Sequence, residues 1–166
     1  DHVIVCGQNE RSIAWNQGAT AKWVNKITDW IRSNTDRPIW FRPHPRFPIK
    51  FSDADKHNIF VSQPKKLNYA GNIDEVDFAQ AIAQAHAVVN YNSNPAIESV
   101  LSGVPVYVDQ SSLCWPVGNA IGSDIENPVK PDRTEWCKQI SYTEWFIEEI
   151  RQGLPWQRLK PRLIAG

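Results

Sequence analysis

Three hydrogen-bond-donating side chains fall within five residues in Arg42-Pro43-His44-Pro45-Arg46, and the two prolines restrict the backbone that presents His44. Two guanidinium groups and an imidazole held this close suit a phosphate or another compact anion. A solvated basic loop, with His44 in a local hydrogen bond, is the competing reading. Ser93-Asn94-Pro95 is a second candidate, because Asn is a good N-cap and Pro fits the first helical position. The open N–H groups and positive dipole end of such a helix would attract an anion, a diphosphate included. A plain cap without a ligand is the alternative. Glu98 lies about one turn further along the same face, placed to accept hydrogen bonds from ribose hydroxyls or to serve as an ordinary surface glutamate. Trp15 and Tyr91 have the shape to stack on a base, although packing within the protein accounts for both. Neither GxGxxG after the first apolar run nor GxxxxGK[ST] occurs, so the glycine cradles of the dinucleotide fold and the P-loop are missing.

Such residues act together only if a scaffold brings their segments into register. Val3 to Cys6 is a short apolar run closed by Gly7, the pattern of a buried strand entering a loop. Further strands are expected over Pro38 to Arg42, at Ile59-Phe60-Val61, at Ala87-Val88-Val89 and over Val104 to Val108. Helical periodicity covers Thr20 to Ser33, with Trp23, Val24, Ile27, Trp30 and Ile31 on one face. It also covers Asp77 to Ala85 and a helix opening at Asn94-Pro95 and stopped by Gly103. Asp132 is expected to cap a helix through about Ile140, and Thr143 another through about Gln152, before a polar, Pro-containing tail. Phe47 to Lys56 and Pro64 to Asn72 read as loop or irregular structure. Strands alternating with helices, each strand a continuous apolar run, indicate an α/β doubly wound, mostly parallel sheet of about five strands with helices on both faces. In that architecture ligands bind beyond the carboxyl ends of the strands. The candidate rim is therefore Gly7-Gln8-Asn9 after the first strand, Arg42 to Arg46 after the second, Asn90-Tyr91-Asn92-Ser93-Asn94 after the fourth, and Asp109-Gln110-Ser111-Ser112 after the fifth.

Composition bounds the rest. The 166 residues are expected to form a single domain, with a Trp-rich helical segment from about residue 132. Eighteen basic and eighteen acidic side chains cancel, so no global field draws nucleic acid or a membrane surface. The three cysteines, Cys6, Cys114 and Cys137, form no CxxC pair. That spacing points away from a disulfide framework or zinc site and toward a reducing, cytoplasmic setting. No apolar run is long enough to span a membrane. The lack of any methionine, position 1 included, leaves open whether the chain is a trimmed or excised piece of something longer.

The stretch Asn92-Ser93-Asn94-Pro95-Ala96-Ile97-Glu98-Ser99-Val100-Leu101-Ser102-Gly103-Val104-Pro105-Val106, preceded by Ala79 to Val89, resembles the donor-site core of glycosyltransferases of the two-domain GT-B type. With Arg42-Pro43-His44-Pro45-Arg46 it is most similar to the capsular polysaccharide and sialyl- or Kdo-transferase group and to phage-encoded glycosyltransferases. The likeness covers residues 36 to 110 well and the remainder loosely. It implies a Rossmann-like half of a GT-B fold, with His44 and Ser93 on the donor phosphates and Glu98, five residues before Gly103, on the ribose. The substrate so implied is a nucleotide sugar, with no cofactor and no metal. A companion N-terminal domain would hold the acceptor and usually the catalytic base, and no catalytic residue is assigned within this chain. Two positions depart from the pattern. Asn90 stands where many retaining members carry a second glutamate, seven residues lying between it and Glu98, and Gln8 replaces a basic residue often found after the first strand's glycine. The stereochemical outcome is left open.

The segment from Tyr142 to Trp156 also resembles the ends of phage proteins, some of which modify DNA bases. A glycan or a phage-DNA acceptor follows as an expectation, to which the neutral charge adds no support. Two other functions fit the same residues: a nucleotide-sugar epimerase of GT-B fold, consuming donor without an acceptor, and a non-catalytic module binding a phosphorylated ligand or partner chain, with the Trp-rich end as a docking surface.

Overall fold

Val3, Ile4 and Val5 are inaccessible to solvent on both faces of the sheet, which a strand achieves only when helices cover both sides. The computed structural model describes residues 1–49, 59–65 and 75–164. Its six strands are β1 (His2–Cys6), β2 (Ile39–Arg42), β3 (Ile59–Val61), β4 (Ala85–Val89), β5 (Val106–Val108) and β6 (Asn119–Ala120). Its helices are α1 (Thr20–Arg32), α2 (Glu75–Ile82), α3 (Pro95–Leu101), α4 (Thr134–Ile140), α5 (Ile147–Arg151) and α6 (Leu154–Ile164). Every pairing in the sheet is parallel, in the order β3-β2-β1-β4-β5-β6. This is the Rossmann-like doubly wound order, whose direction of winding reverses between β1 and β4. The expected sheet is present, with six strands where about five were expected.

Side chains alternate across each strand and divide the core into two layers. Val3, Val5, Ile39, Phe41, Ala87 and Val89 pack against Trp23, Val24, Ile27 and Ile31 of α1, whose apolar positions recur at helical spacing. Ile4, Val88, Val106 and Val108 are buried as well, and α2 and α3 contact each other and β4. α3 ends in a Schellman motif: the Val104 N–H donates to the Ser99 carbonyl at 2.9 Å and the Gly103 N–H to the Val100 carbonyl at 3.0 Å. The motif requires a left-handed residue, and Gly103 supplies it at φ 82°.

Several boundaries differ from expectation, each for a local reason. Ala85 belongs to β4 and not to α2, because its backbone pairs with His2 at the start of β1. β6 is absent from the apolar pattern: Asn119 and Ala120 pair with Tyr107 and Val108, with Asn119 buried and donating to the carbonyls of Val106 and Val129 at 3.3 and 3.0 Å. Thr143 does not cap α5; its hydroxyl donates to the Ile140 carbonyl at 2.8 Å, behind α4. α5 starts at Ile147, where the Phe146 N–H donates to the Glu149 carboxylate at 2.7 Å. The polar, Pro-containing tail, part of the helical segment expected from about residue 132, forms α6 with Pro161 inside it. Most of the loop expected over 47–56 and of the irregular stretch over 64–72 lies outside the described residues.

The chain divides into two compact units, Asp1–Pro131 with the whole sheet and Asp132–Gly166 with α4, α5 and α6. In the second unit, Phe146, Ile147, Ile150, Trp156 and Leu159 are exposed, and Arg158 stacks over the Tyr142 ring with its guanidinium carbon 3.2 Å from the centroid. No helix among the described residues is long and apolar enough to cross a membrane. Phe41 sits at the centre of the α1 layer with no exposed surface, so Phe41→Ala should cost about 3–5 kcal/mol, read by urea denaturation. A loss below about 1 kcal/mol would place the stabilising core elsewhere.

Candidate functional site

The ends of β2, β1 and β4 are neighbours in the sheet, and the chain leaving each contributes to one cleft of about 520 Å³. Its lining includes Gly7 from the end of β1, Arg42, His44 and Arg46 from the end of β2, and Ser93, Asn94 and Glu98 from the β4–α3 connection. Seven of the residues expected at the site therefore come together. The strand order explains the rest: β5 lies beyond β4, away from β1 and β2, so Asp109 and Gln110 are not among the lining residues. Asp109 instead accepts from the Ser111 N–H and hydroxyl at 2.9 and 2.8 Å, and Asn92 donates to Ser111 Oγ at 3.1 Å. Trp15 and Tyr91 also stay outside the cleft, edge-on to each other at 5.2 Å and to Trp23 at 5.7 and 6.4 Å.

His44 is presented by a β-turn, closed by the Phe47 N–H donating to the His44 carbonyl at 3.0 Å, with Pro45 at the position that favours its fixed φ. Within that turn the Arg46 N–H donates to His44 Nδ1 at 3.1 Å. A ring nitrogen that accepts cannot carry a proton, so the neutral imidazole holds its hydrogen on Nε2 and is a donor there. Burial, and then the Arg46 charge, hold the His44 pKa below its ordinary value, which keeps the ring neutral at pH 7. Gly7 allows this turn to approach β1, because a Cβ there would lie 3.0 Å from His44 N and 3.3 Å from Pro43 Cα, both backbone atoms.

Arg42 enters the site differently from the expectation of a direct anion ligand. Its side chain is buried, its guanidinium pairs with Asp77 at the start of α2 and donates to Ser62 Oγ at 3.3 Å, and it lies 5.5 Å from the Phe78 ring centroid. Asp77 also accepts the Lys65 N–H at 3.1 Å, so one carboxylate ties β2, α2 and the chain after β3 together. The charge of Arg42 is largely answered from within, whereas Arg46 is exposed at the cleft.

The start of α3 is also not the open row of amides expected. Pro95 has no N–H, the Ala96 N–H donates to the Ser93 carbonyl at 3.2 Å, and the Ile97 N–H donates to the Asn94 carbonyl at 2.8 Å. Asn94 does not cap through its side chain, since its backbone is already helical at φ −51° and ψ −32° and an N-cap needs extended angles. Asn90 instead closes the turn that precedes the helix, its Oδ1 accepting the Ser93 N–H at 2.8 Å. Gln8 lies beneath the cleft, buried, with Nε2 donating to Ser93 Oγ at 2.9 Å. The end of α1 that a dinucleotide would approach is closed too, because the Glu10 carboxylate accepts the Thr20 N–H.

Three contributors escaped the sequence reading. Asp77 and Phe78 sit at a helix start that carries no chemical pattern, and Cys6 is the last residue of an apolar strand. Burial pushes the Cys6 thiol up to about 12, so it is a neutral element of the lining. Asn90, a polar residue directly after three apolar ones, was the signal available for the turn that holds Ser93. Among the described residues no group of three or more His, Cys, Asp or Glu could hold a metal ion. Comparison of the chain with protein-family models, curated proteins and solved structures finds no match.

Burial alone would raise the Asp77 pKa, but the Arg42 pair and the Lys65 amide outweigh it and hold the carboxyl below its ordinary value. A depressed folded-state pKa stabilises above the unfolded value of about 4 and ceases to do so as the pH falls through the folded one. Asp77→Ala should therefore cost about 3 kcal/mol at pH 7 by leaving Arg42 buried without its partner. In urea denaturation that deficit should shrink as the pH is lowered below about 4; a deficit constant from pH 7 to pH 2.5 would exclude the ion pair as its source.

Proposed function

We propose that the cleft binds the phosphate of a nucleotide sugar and that the chain is the donor-binding part of a GT-B type glycosyltransferase. The observation that carries this reading is the convergence of His44, Arg46, Ser93 and Glu98 in one cleft at the point where the sheet reverses its winding. Parallel sheets of this order bind ligands there. The motif resemblance at Arg42 to Arg46 and Asn92 to Val106 assigns His44 and Ser93 to donor phosphates and Glu98 to ribose, and it supports the reading independently of the geometry.

In this proposal the His44 Nε2–H, the Ser93 hydroxyl and the Arg46 guanidinium are the phosphate donors. Arg42 is the residue that fixes their frame through Asp77. Glu98, exposed on α3 at the cleft, takes the ribose hydroxyls. A negative charge that grows on the leaving phosphate during glycosyl transfer would meet donors already oriented by the protein, the condition under which electrostatic stabilisation lowers a barrier most. The acceptor, a glycan or DNA, and the catalytic base are assigned to a companion domain.

A thermal-shift series with UDP, CMP, GDP and ADP tests the reading, since a ligand that binds the folded state raises the melting temperature. One nucleotide should give a shift, and His44→Ala and Ser93→Ala should each weaken its binding by roughly 10-fold or more, the contribution of a hydrogen bond to a charged group. No shift with any of the four, or equal binding by wild type and both variants, would overturn the proposal.

A further inference from the structure

A serine hydroxyl has one proton to donate and two lone pairs with which to accept. At Ser93 both acceptor positions are taken: Gln8 Nε2 and Asn90 Nδ2 each lie 2.9 Å from Oγ. The orientation of the Asn90 amide is fixed by its other end, because Oδ1 faces the Ser93 N–H, which can only donate. Both amide side chains are buried, Asn90 at 0% and Gln8 at 4% relative exposure, so water does not compete for these bonds. The Ser93 proton is left with a single role, donation, and Ser93 lines the cleft beside Gly7 and Asn94.

Resting on the proposal that this cleft holds a phosphate, we infer that Gln8 and Asn90 are positioning residues that lock the Ser93 hydroxyl as an obligate donor. At the notch between β1 and β4, Ser93 therefore presents a proton to an accepting oxygen, such as that of a phosphate, and offers no lone pair to a ligand O–H or N–H. The geometry also gives a physical reason for Gln8 after β1. A lysine or arginine there would add charge at a higher cost of burial, whereas a neutral amide sets the direction of a hydrogen bond without a charge to desolvate.

The test is a double-mutant cycle on the full chain. Binding of UDP, CMP, GDP, ADP and inorganic pyrophosphate is measured for wild type, Ser93→Ala, Gln8→Glu and the double variant. A carboxylate at position 8 has no proton to give at neutral pH, so it accepts the Ser93 hydroxyl and turns it from the cleft. Gln8→Glu should therefore weaken binding about as much as Ser93→Ala, roughly 10-fold or more, and the double variant should be no more than about 2-fold weaker than Ser93→Ala alone. Additive losses would mean that the carboxylate introduced by Gln8→Glu acts by charge repulsion, overturning the positioning role while leaving the phosphate reading intact. No binding by wild type overturns both.

A readout without ligand keeps the inference falsifiable if Gln8→Glu does not fold. The side-chain NH2 resonances of Gln8 and Asn90, assigned with Gln8→Met and Asn90→Asp, should both move in Ser93→Ala and lose protection from solvent exchange. Either pair unmoved would overturn the inference.

Discussion

β1 is hydrogen-bonded along both edges, by β2 from about 35 residues downstream and by β4 from more than 80. Both pairings are non-local, and both must form before the core on either face closes. A parallel strand so placed cannot be stabilised by a hairpin turn; it depends on helices crossing over both faces to exclude water from its apolar side chains. α1 covers one face and the contacting pair α2 and α3 lies with β4. The same pairing sets the candidate site, because it puts the ends of β2, β1 and β4 side by side and leaves the end of β5 outside.

The cleft is organised by internal satisfaction of charge and hydrogen bonds more than by an excess of positive charge. Arg42 is engaged by Asp77, the first amides of α3 by nearby carbonyls, and the start of α1 by Glu10. The donors left facing the cleft that the proposal uses are a small set: an imidazole whose Nδ1 is occupied, a hydroxyl whose lone pairs are occupied, and one exposed guanidinium. The first two are oriented by neighbouring groups before any ligand arrives. Pre-organisation of this kind reduces the cost of ordering the site on binding.

Much of the fold was legible in the sequence because the features that encode it are periodic or stereochemically unambiguous. The spacing of Trp23, Val24, Ile27 and Ile31 located α1 to within a residue, and the continuous apolar runs located five strands. Gly103 marked the end of α3 because only glycine takes a left-handed backbone without strain. The failures have one physical origin in common. β6 and the assignment of Ala85 to β4 depend on partners outside the local pattern, which carries no information about which backbone groups will find such a partner. Asn94 does stand directly before α3 with Pro95 first in the helix, but its helical backbone angles keep its side chain from capping, and Thr143 turns its hydroxyl back to α4.

The candidate site divides in the same way. By itself the sequence determined that Arg42, His44, Arg46, Ser93, Asn94 and Glu98 stand at strand ends and a helix start, since residue type and proximity to proline or to an apolar run are local properties. Which of them face one another was decided only by the tertiary structure. Strand order joined the ends of β1, β2 and β4, burial turned Arg42 toward Asp77, and the depth of Gln8 and Asn90 made them partners of Ser93. A hydrogen bond between residues 85 positions apart has no trace in local pattern, because its strength comes from exclusion of water, and water is excluded only once the chain has folded.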